Sequence, residues 1–342
     1  MTRNTITSRE RIRSIIARRP TDRCGFWLGN PHEETLRLYH RYFGTRTLEA
    51  LHEKLGSDFR WLTPQYLPST YREPHGKGLF DLWKYKASLG DAGPLADCES
   101  IDEVRRFDWP SLEYLHLGEG IAQLQNAGPY YRASGFWMPF FHDVMDLFGM
   151  ESFLVKLYTH PEVVRAAFDH VCGFYEAANE LLFREAGGEA DALFFGNDFG
   201  TQRDLLLSPE QFESFVLPWI TRFARQAHGH GLQVILHSCG AIARIIPQLI
   251  DAGIDCLHPL QSRAEGMDAE SLAAVCTGRI ALLGGIDTQR LLVEGSTQKI
   301  KEEVRRIKTM LGPHLIVSPS HEALLPNVPP EHAAAMAEAA LE

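Results

Sequence analysis

The sequence predicts an α/β protein folded as one (β/α)8 barrel over residues 1–342, on three observations. Short apolar runs of strand type occur eight times, with helical patterns between most of them, as parallel sheets require. Each run ends abruptly in polar or glycine-containing residues, which is how strands end when their C-terminal tips open onto a barrel mouth. No linker, low-complexity tract or short repeat divides the chain. A doubly wound sheet is the alternative arrangement of the same elements.

Taken in order, residues 7–16 read as a capped helix, with Thr7 or Ser8 at the N-cap and apolar residues at helical spacing behind it. The first strand follows at 24–28, then a helical pattern over 34–55 marked by Leu36, Tyr39, Leu48, Leu51 and Leu55. The second strand is 58–62. Residues 64–100, rich in Pro, Gly and aromatics, read as an insertion covering one end of the body, with 80–86 alternating like a hairpin arm. Six more strands follow at 131–136, 191–195, 233–236, 255–258, 280–284 and 314–317.

Composition narrows the function. The chain is 44% hydrophobic, ample for a large core, and its net charge of −10 advertises no basic surface for nucleic acid or anionic lipid. No apolar run approaches the roughly 18 residues of a membrane span, and the first ten residues have no signal-like apolar stretch. Six cysteines without framework spacing suit a reducing compartment. A cytoplasmic protein acting on a small molecule is the expectation; a homodimer is left open.

The chemistry gathers at the predicted tips. After 233–236 comes His237-Ser238-Cys239-Gly240. Residues two apart on an extended chain point the same way, so His237 and Cys239 can reach one ion, and Zn²⁺ accepts mixed nitrogen and sulfur ligands. A core histidine beside a buried free thiol is the plainer reading of the pair. His321, on the last tip, would complete a three-ligand set with an open fourth position. Asp198 lies in Gly196-Asn197-Asp198-Phe199-Gly200-Thr201-Gln202-Arg203, where polar residues flank an aromatic on both sides. For Asp287, ahead of Thr288-Gln289-Arg290-Leu291, N-capping of the next helix is at least as good an account as a role in the site.

The tip motifs 196–203, Leu206-Leu207-Ser208-Pro209-Glu210, 237–240, Gly284-Gly285-Ile286-Asp287-Thr288, Ser318-Pro319-Ser320-His321 and Asn327-Val328-Pro329-Pro330-Glu331 occur in this order. Together they resemble the uroporphyrinogen decarboxylase superfamily, well over about 130–340 and loosely before. The resemblance implies a (β/α)8 barrel and either of two chemistries. True decarboxylases carry an N-terminal Arg-x-x-Gly-Arg segment that grips the carboxylates of a tetrapyrrole and need no metal. Residues 24–32 offer no arginine there. An eight-carboxylate substrate would be left without its guanidinium clamps.

The second branch comprises zinc-dependent methyltransferases and O-demethylase components that serve corrinoid proteins. Their zinc is held by a His-x-Cys pair and a third ligand, commonly Cys, from the last strand. His237 and Cys239 match the pair; His321 offers imidazole in place of thiolate, a set better matched to polarising oxygen. The resemblance therefore implies Zn²⁺ and methyl transfer between a small thiol or methoxylated aromatic and a corrinoid. The corrinoid would arrive on a partner protein, since the chain lacks an Asp-x-His-x-x-Gly signature. Asp198 would be general acid/base or orienter, with Trp27, Asn30, Phe136, Trp137, Gln202, Gln261 and Asp287 around the substrate. Trp61, Phe140 and Phe141 are further candidates for an apolar wall, and His32, His142 and His258 are reserve ligands. Plain core or lid packing is the competing account of each aromatic. The alternative activity is metal-independent decarboxylation with Asp198 or Asp58 as proton donor. A non-catalytic corrinoid- or metal-binding module stands third.

Overall fold

A computed structural model describes residues 6–80 and 90–342. Eight parallel strands, all at the predicted places, run β1 Gly25–Phe26, β2 Phe59–Trp61, β3 Tyr131–Ser134, β4 Ala192–Gly196, β5 Gln233–His237, β6 Cys256–His258, β7 Ala281–Ile286 and β8 Leu315–Pro319. Their order around the sheet is β1-β8-β7-β6-β5-β4-β3-β2, and the Asp58 N–H donates to the Phe26 carbonyl (2.8 Å), bringing the ends together. This is a nearly closed (β/α)8 barrel.

Strand periodicity sorts the side chains into two cores. Phe59, Tyr131, Ala192, Phe194, Ile235, Cys256, Leu283 and Ile316 fill the lumen, together with Trp27. Their neighbours Phe26, Leu193, Phe195, Val234, Leu236, Leu257, Leu282 and Val317 face outward under the helices. The helix Ser8–Ile16 closes the lumen from below. Thr7 and Glu10 form its capping box, and Ile12, Ile15 and Ile16 join the inner core. The helical pattern over 34–55 resolves into two helices, Glu33–Phe43 and Leu48–Leu55, separated at Gly44 and restarted by Thr47 as N-cap.

Asp58 precedes β2 and so lies at the N-terminal end of the barrel, away from the tips. Its fully buried carboxylate receives Arg11 (2.8 Å), Arg23 (2.8 Å), Ser8 Oγ (2.7 Å) and the Phe26 N–H (3.1 Å). Nearby, buried Asp191 is clasped by Arg9 and Arg13. These are structural locks between the closing helix and the strands. The catalytic expectation for Asp58 therefore meets a carboxylate whose lone pairs are already taken, at the far end from the other candidates.

Within 64–100, Tyr71 bridges to Leu115, Gln65 accepts the Met138 N–H (3.2 Å), and Gly93 packs on the backbone of Asp146 and Leu147. The described part of this segment thus leans on the chain just before β3 and on the elements that follow it. Of the alternating stretch 80–86, only Phe80 is among the described residues, and it is buried. No helix among the described residues is long and apolar enough to cross a membrane.

Candidate metal centre

Inward alternation carries beyond the strand ends. Two residues past inward Ile235 comes His237, then Cys239; two past Cys256 comes His258. His237 pairs in register with Gly196 of β4 on one side and His258 of β6 on the other. Gly196 is needed there: a Cβ would lie 2.1 Å from Cζ2 of Trp137. The missing side chain lets the indole lie across the lumen, with its ring 5.1 Å from that of His237.

The loop after β4 swings Asp198 over this layer. Asn197 pins it by accepting the Phe141 N–H (2.8 Å) and donating to the Met138 carbonyl (2.9 Å). His142 Nε2 accepts the Asp198 N–H (3.0 Å), and Asp198 Oδ1 accepts the Cys239 N–H (2.9 Å). Oδ1 then stands 3.2 Å from His237 Nε2, and Cys239 Sγ stands 3.4 Å from the same nitrogen. Asp198, His237 and Cys239 form one of two groups among the described residues whose ligand atoms could share an ion, the other being His237, His258 and Glu322. In a tetrahedral zinc site, with bonds of 2.0–2.3 Å, neighbouring ligand atoms lie about 3.3–3.6 Å apart. The first donor set and its spacing fit such an ion.

The other ring nitrogen of His237 is engaged from below and behind. His258 Nδ1 is 3.0 Å from His237 Nδ1, and Glu322 Oε2 is 3.4 Å from it. Burial alone would lower the His237 pKa, but the charge of Glu322 and the bonds from Asp198 and Cys239 outweigh it and carry it well above the usual value. Burial would raise Asp198, yet His237 and the Cys239 N–H hold it well below the carboxylate range. Burial raises the Cys239 thiol, and His237 offsets part of that rise. His258, fully buried beside His237 and His321, is pushed far down and stays neutral. An ionised Asp198 is a metal ligand or orienter and a poor proton donor.

The expected third ligand stands apart. The His321 ring is perpendicular to that of His237 with centroids 6.2 Å apart, and its Nδ1 accepts the Ala323 N–H (3.1 Å). The loop after β8 brings Glu322 rather than His321 to His237, and His321 is held instead by the Ala323 N–H.

Other candidates fall in different places. Trp27 is in the lumen, its ring 5.5 Å from His258, as part of the floor beneath the site. Phe136 is not at the mouth: Gly135, at φ 98°, turns the chain after β3 and puts Phe136 in the outer core with Phe140 and Phe141. Gln202 donates to Gln261 (3.1 Å), and Gln261 also accepts the Gly240 N–H (3.0 Å), so the two brace neighbouring loops. Asp287 accepts the N–H groups of Gln289, Arg290 and Leu291 and so ties the turn that leads into the helix Leu291–Glu294, whose N-cap is Arg290 rather than Asp287. Asn30 is exposed and His32 caps the helix Glu33–Phe43. Two residues escaped sequence reasoning. Glu322, directly after His321, was signalled only by an acid beside a histidine. Tyr66 sits with its ring 6.2 Å from Trp61, which in turn is 4.8 Å from Trp137, extending an aromatic wall outward from His237.

Comparison with known proteins agrees with this architecture. The model of the family described as uroporphyrinogen decarboxylase (URO-D) matches residues 135–342, more than half of the chain. A curated relative, methylated-thiol–coenzyme M methyltransferase of Methanosarcina mazei, is 26% identical over 157 residues. That stretch is 46% of this chain and 39% of the relative, so the match spans well under two thirds of the relative's length. A solved structure, described as a methyltransferase from Methanosarcina mazei, superimposes over 98% of both chains with a TM-score of 0.68 and 18% identity, a likeness of fold.

Proposed function

We propose that this chain, which belongs to the uroporphyrinogen decarboxylase family, is a zinc-dependent methyltransferase acting between a small methylated substrate and a corrinoid on a partner protein. The observation that carries this reading is the convergence of an imidazole nitrogen, a thiol sulfur and a carboxylate oxygen at ligand spacing at the C-terminal end of the lumen. A metal-free decarboxylase has no use for that set. The methyltransferase among its relatives supports the same side.

His237 Nε2, Cys239 Sγ and Asp198 Oδ1 would hold the ion. Bound there, zinc supplies the Lewis acidity that eases departure of sulfur or oxygen from a methyl group. The chain's own residues do the rest. Asp198, fixed from both sides by the Cys239 N–H and by His142, keeps its carboxylate aimed at His237 and remains anionic. The departing group takes its proton from solvent rather than from Asp198. Trp137, Trp61 and Tyr66 offer an apolar flank for a thioether or an aryl methyl ether beside the donor set.

The test is methyl transfer to free cob(I)alamin, followed by the visible spectrum of methylcobalamin, with zinc-loaded protein and a panel of methylated thiols and methoxyarenes. Zinc-dependent formation of methylcobalamin from one class is the expected result. Turnover of a porphyrinogen by metal-free protein, with no methylcobalamin from either class, would contradict the assignment.

A further inference from the structure

We infer that Glu322, seconded by His258, fixes the tautomer of His237 and thereby commits its Nε2 to the metal. The inference rests on the reading above that His237 is a ligand. The two ring nitrogens face different company: Nε2 faces Asp198 and Cys239, while Nδ1 faces Glu322 Oε2 at 3.4 Å and His258 Nδ1 at 3.0 Å.

A carboxylate has no proton to give, so its contact with Nδ1 is favourable only when that nitrogen carries the hydrogen. The neighbouring His258 makes the same demand when its Nδ1 accepts, which sets its own hydrogen on Nε2, a buried nitrogen with no partner among the described residues. A neutral His237 with hydrogen on Nδ1 keeps its lone pair on Nε2, on the side of Asp198 and Cys239. The other tautomer would set the Nδ1 lone pair against Glu322 and put a hydrogen where the ion belongs; in the metal-free site Asp198 and Cys239 favour a hydrogen on Nε2 as well, and a bound cation would take its place.

Nothing else among the described residues claims this carboxylate oxygen. Glu322 Oε2 is buried and makes no hydrogen bond; its nearest ionic contact is His237 Nδ1 at 3.4 Å, close enough to act on the ring by charge. His321 Nδ1 lies 3.7 Å from the same oxygen, but that nitrogen already accepts the Ala323 N–H and so has no proton to offer. The Glu322 backbone carbonyl separately accepts the Asn30 N–H (2.6 Å), so the local chain path does not depend on the side chain. Ligand histidines elsewhere are held in the same way by an outer carboxylate, and its loss typically costs 10–100-fold in metal affinity. Glu322 is a positioning residue by this account.

The experiment is zinc competition against a chromophoric chelator on the full chain, comparing wild type, Glu322→Gln and Glu322→Asp, with thermal unfolding of each metal-free protein. Glu322→Gln is expected to bind zinc about 10–100-fold more weakly, because an amide can satisfy either tautomer. Glu322→Asp should recover part of the loss, and the metal-free unfolding midpoints should coincide. The cobalt(II) form of Glu322→Gln should keep its thiolate-to-cobalt absorption, showing that Cys239 still binds. Equal zinc affinity in wild type and Glu322→Gln overturns the inference alone. Two zinc ions per wild-type chain would also overturn it, making the Nδ1 side a second metal site. Absence of zinc from wild type overturns the metal reading itself, and is told apart by the wild-type titration.

Discussion

Cys239→Ser is expected to lose tightly bound zinc and, with it, more than about 100-fold in methyl transfer, since even an outer partner of a ligand costs 10–100-fold. The thiol is the one soft donor in the group, and a serine hydroxyl stays protonated near neutral pH and offers a weak oxygen instead. The fold should survive the change. Cys239 lies past the end of β5, its backbone N–H bonded to Asp198, and serine keeps that bond. Metal analysis of the variant, with circular dichroism unchanged, checks both halves of the statement. Full zinc retention in a folded Cys239→Ser would remove the thiol from the ligand set.

Asp58→Ala should do the reverse: weaken the fold and spare the site. Deleting this carboxylate leaves buried Arg11 and mostly buried Arg23 facing one another without their counter-charge, although Arg11 keeps Asp22. Removing one partner from a buried ion pair costs about 3–5 kcal/mol. Urea unfolding of the metal-free variant would read that loss as a lower midpoint at unchanged slope. Turnover per folded, zinc-loaded molecule should match wild type, because Asp58 is at the opposite end of the barrel. A stable Asp58→Ala protein with abolished turnover would return Asp58 to the list of catalytic candidates.

These two residues show what a sequence can and cannot disclose. All eight strands were legible because parallel strands buried on both faces leave dense apolar runs, and their tips leave polar ones. Period-two alternation correctly aligned His237 with Cys239 on the inward side. Strand direction also held the information that Asp58, standing at the start of its run rather than after its end, belongs at the floor. Asp198 as the close neighbour of His237 follows from the β4–β5 register, Gly196 opposite His237, which no local pattern encodes. His321 has the right residue type, but the loop after β8 turns Glu322 toward His237 in its place, and a backbone N–H claims one of the His321 nitrogens. Phe136 looked like a pocket residue until the turn at Gly135 carried it to the outer core. Asp287 serves the backbone just ahead of the next helix, three residues before the N-cap position itself.

The most direct test of the central claim is the metal content of wild-type protein purified without chelator, measured by elemental analysis against protein concentration. One zinc per chain, removable by chelation and restored on adding zinc, is the predicted result. A protein that contains no zinc and binds none when it is supplied would contradict the account, leaving His237, Cys239 and Asp198 as a hydrogen-bonded cluster in a metal-free pocket.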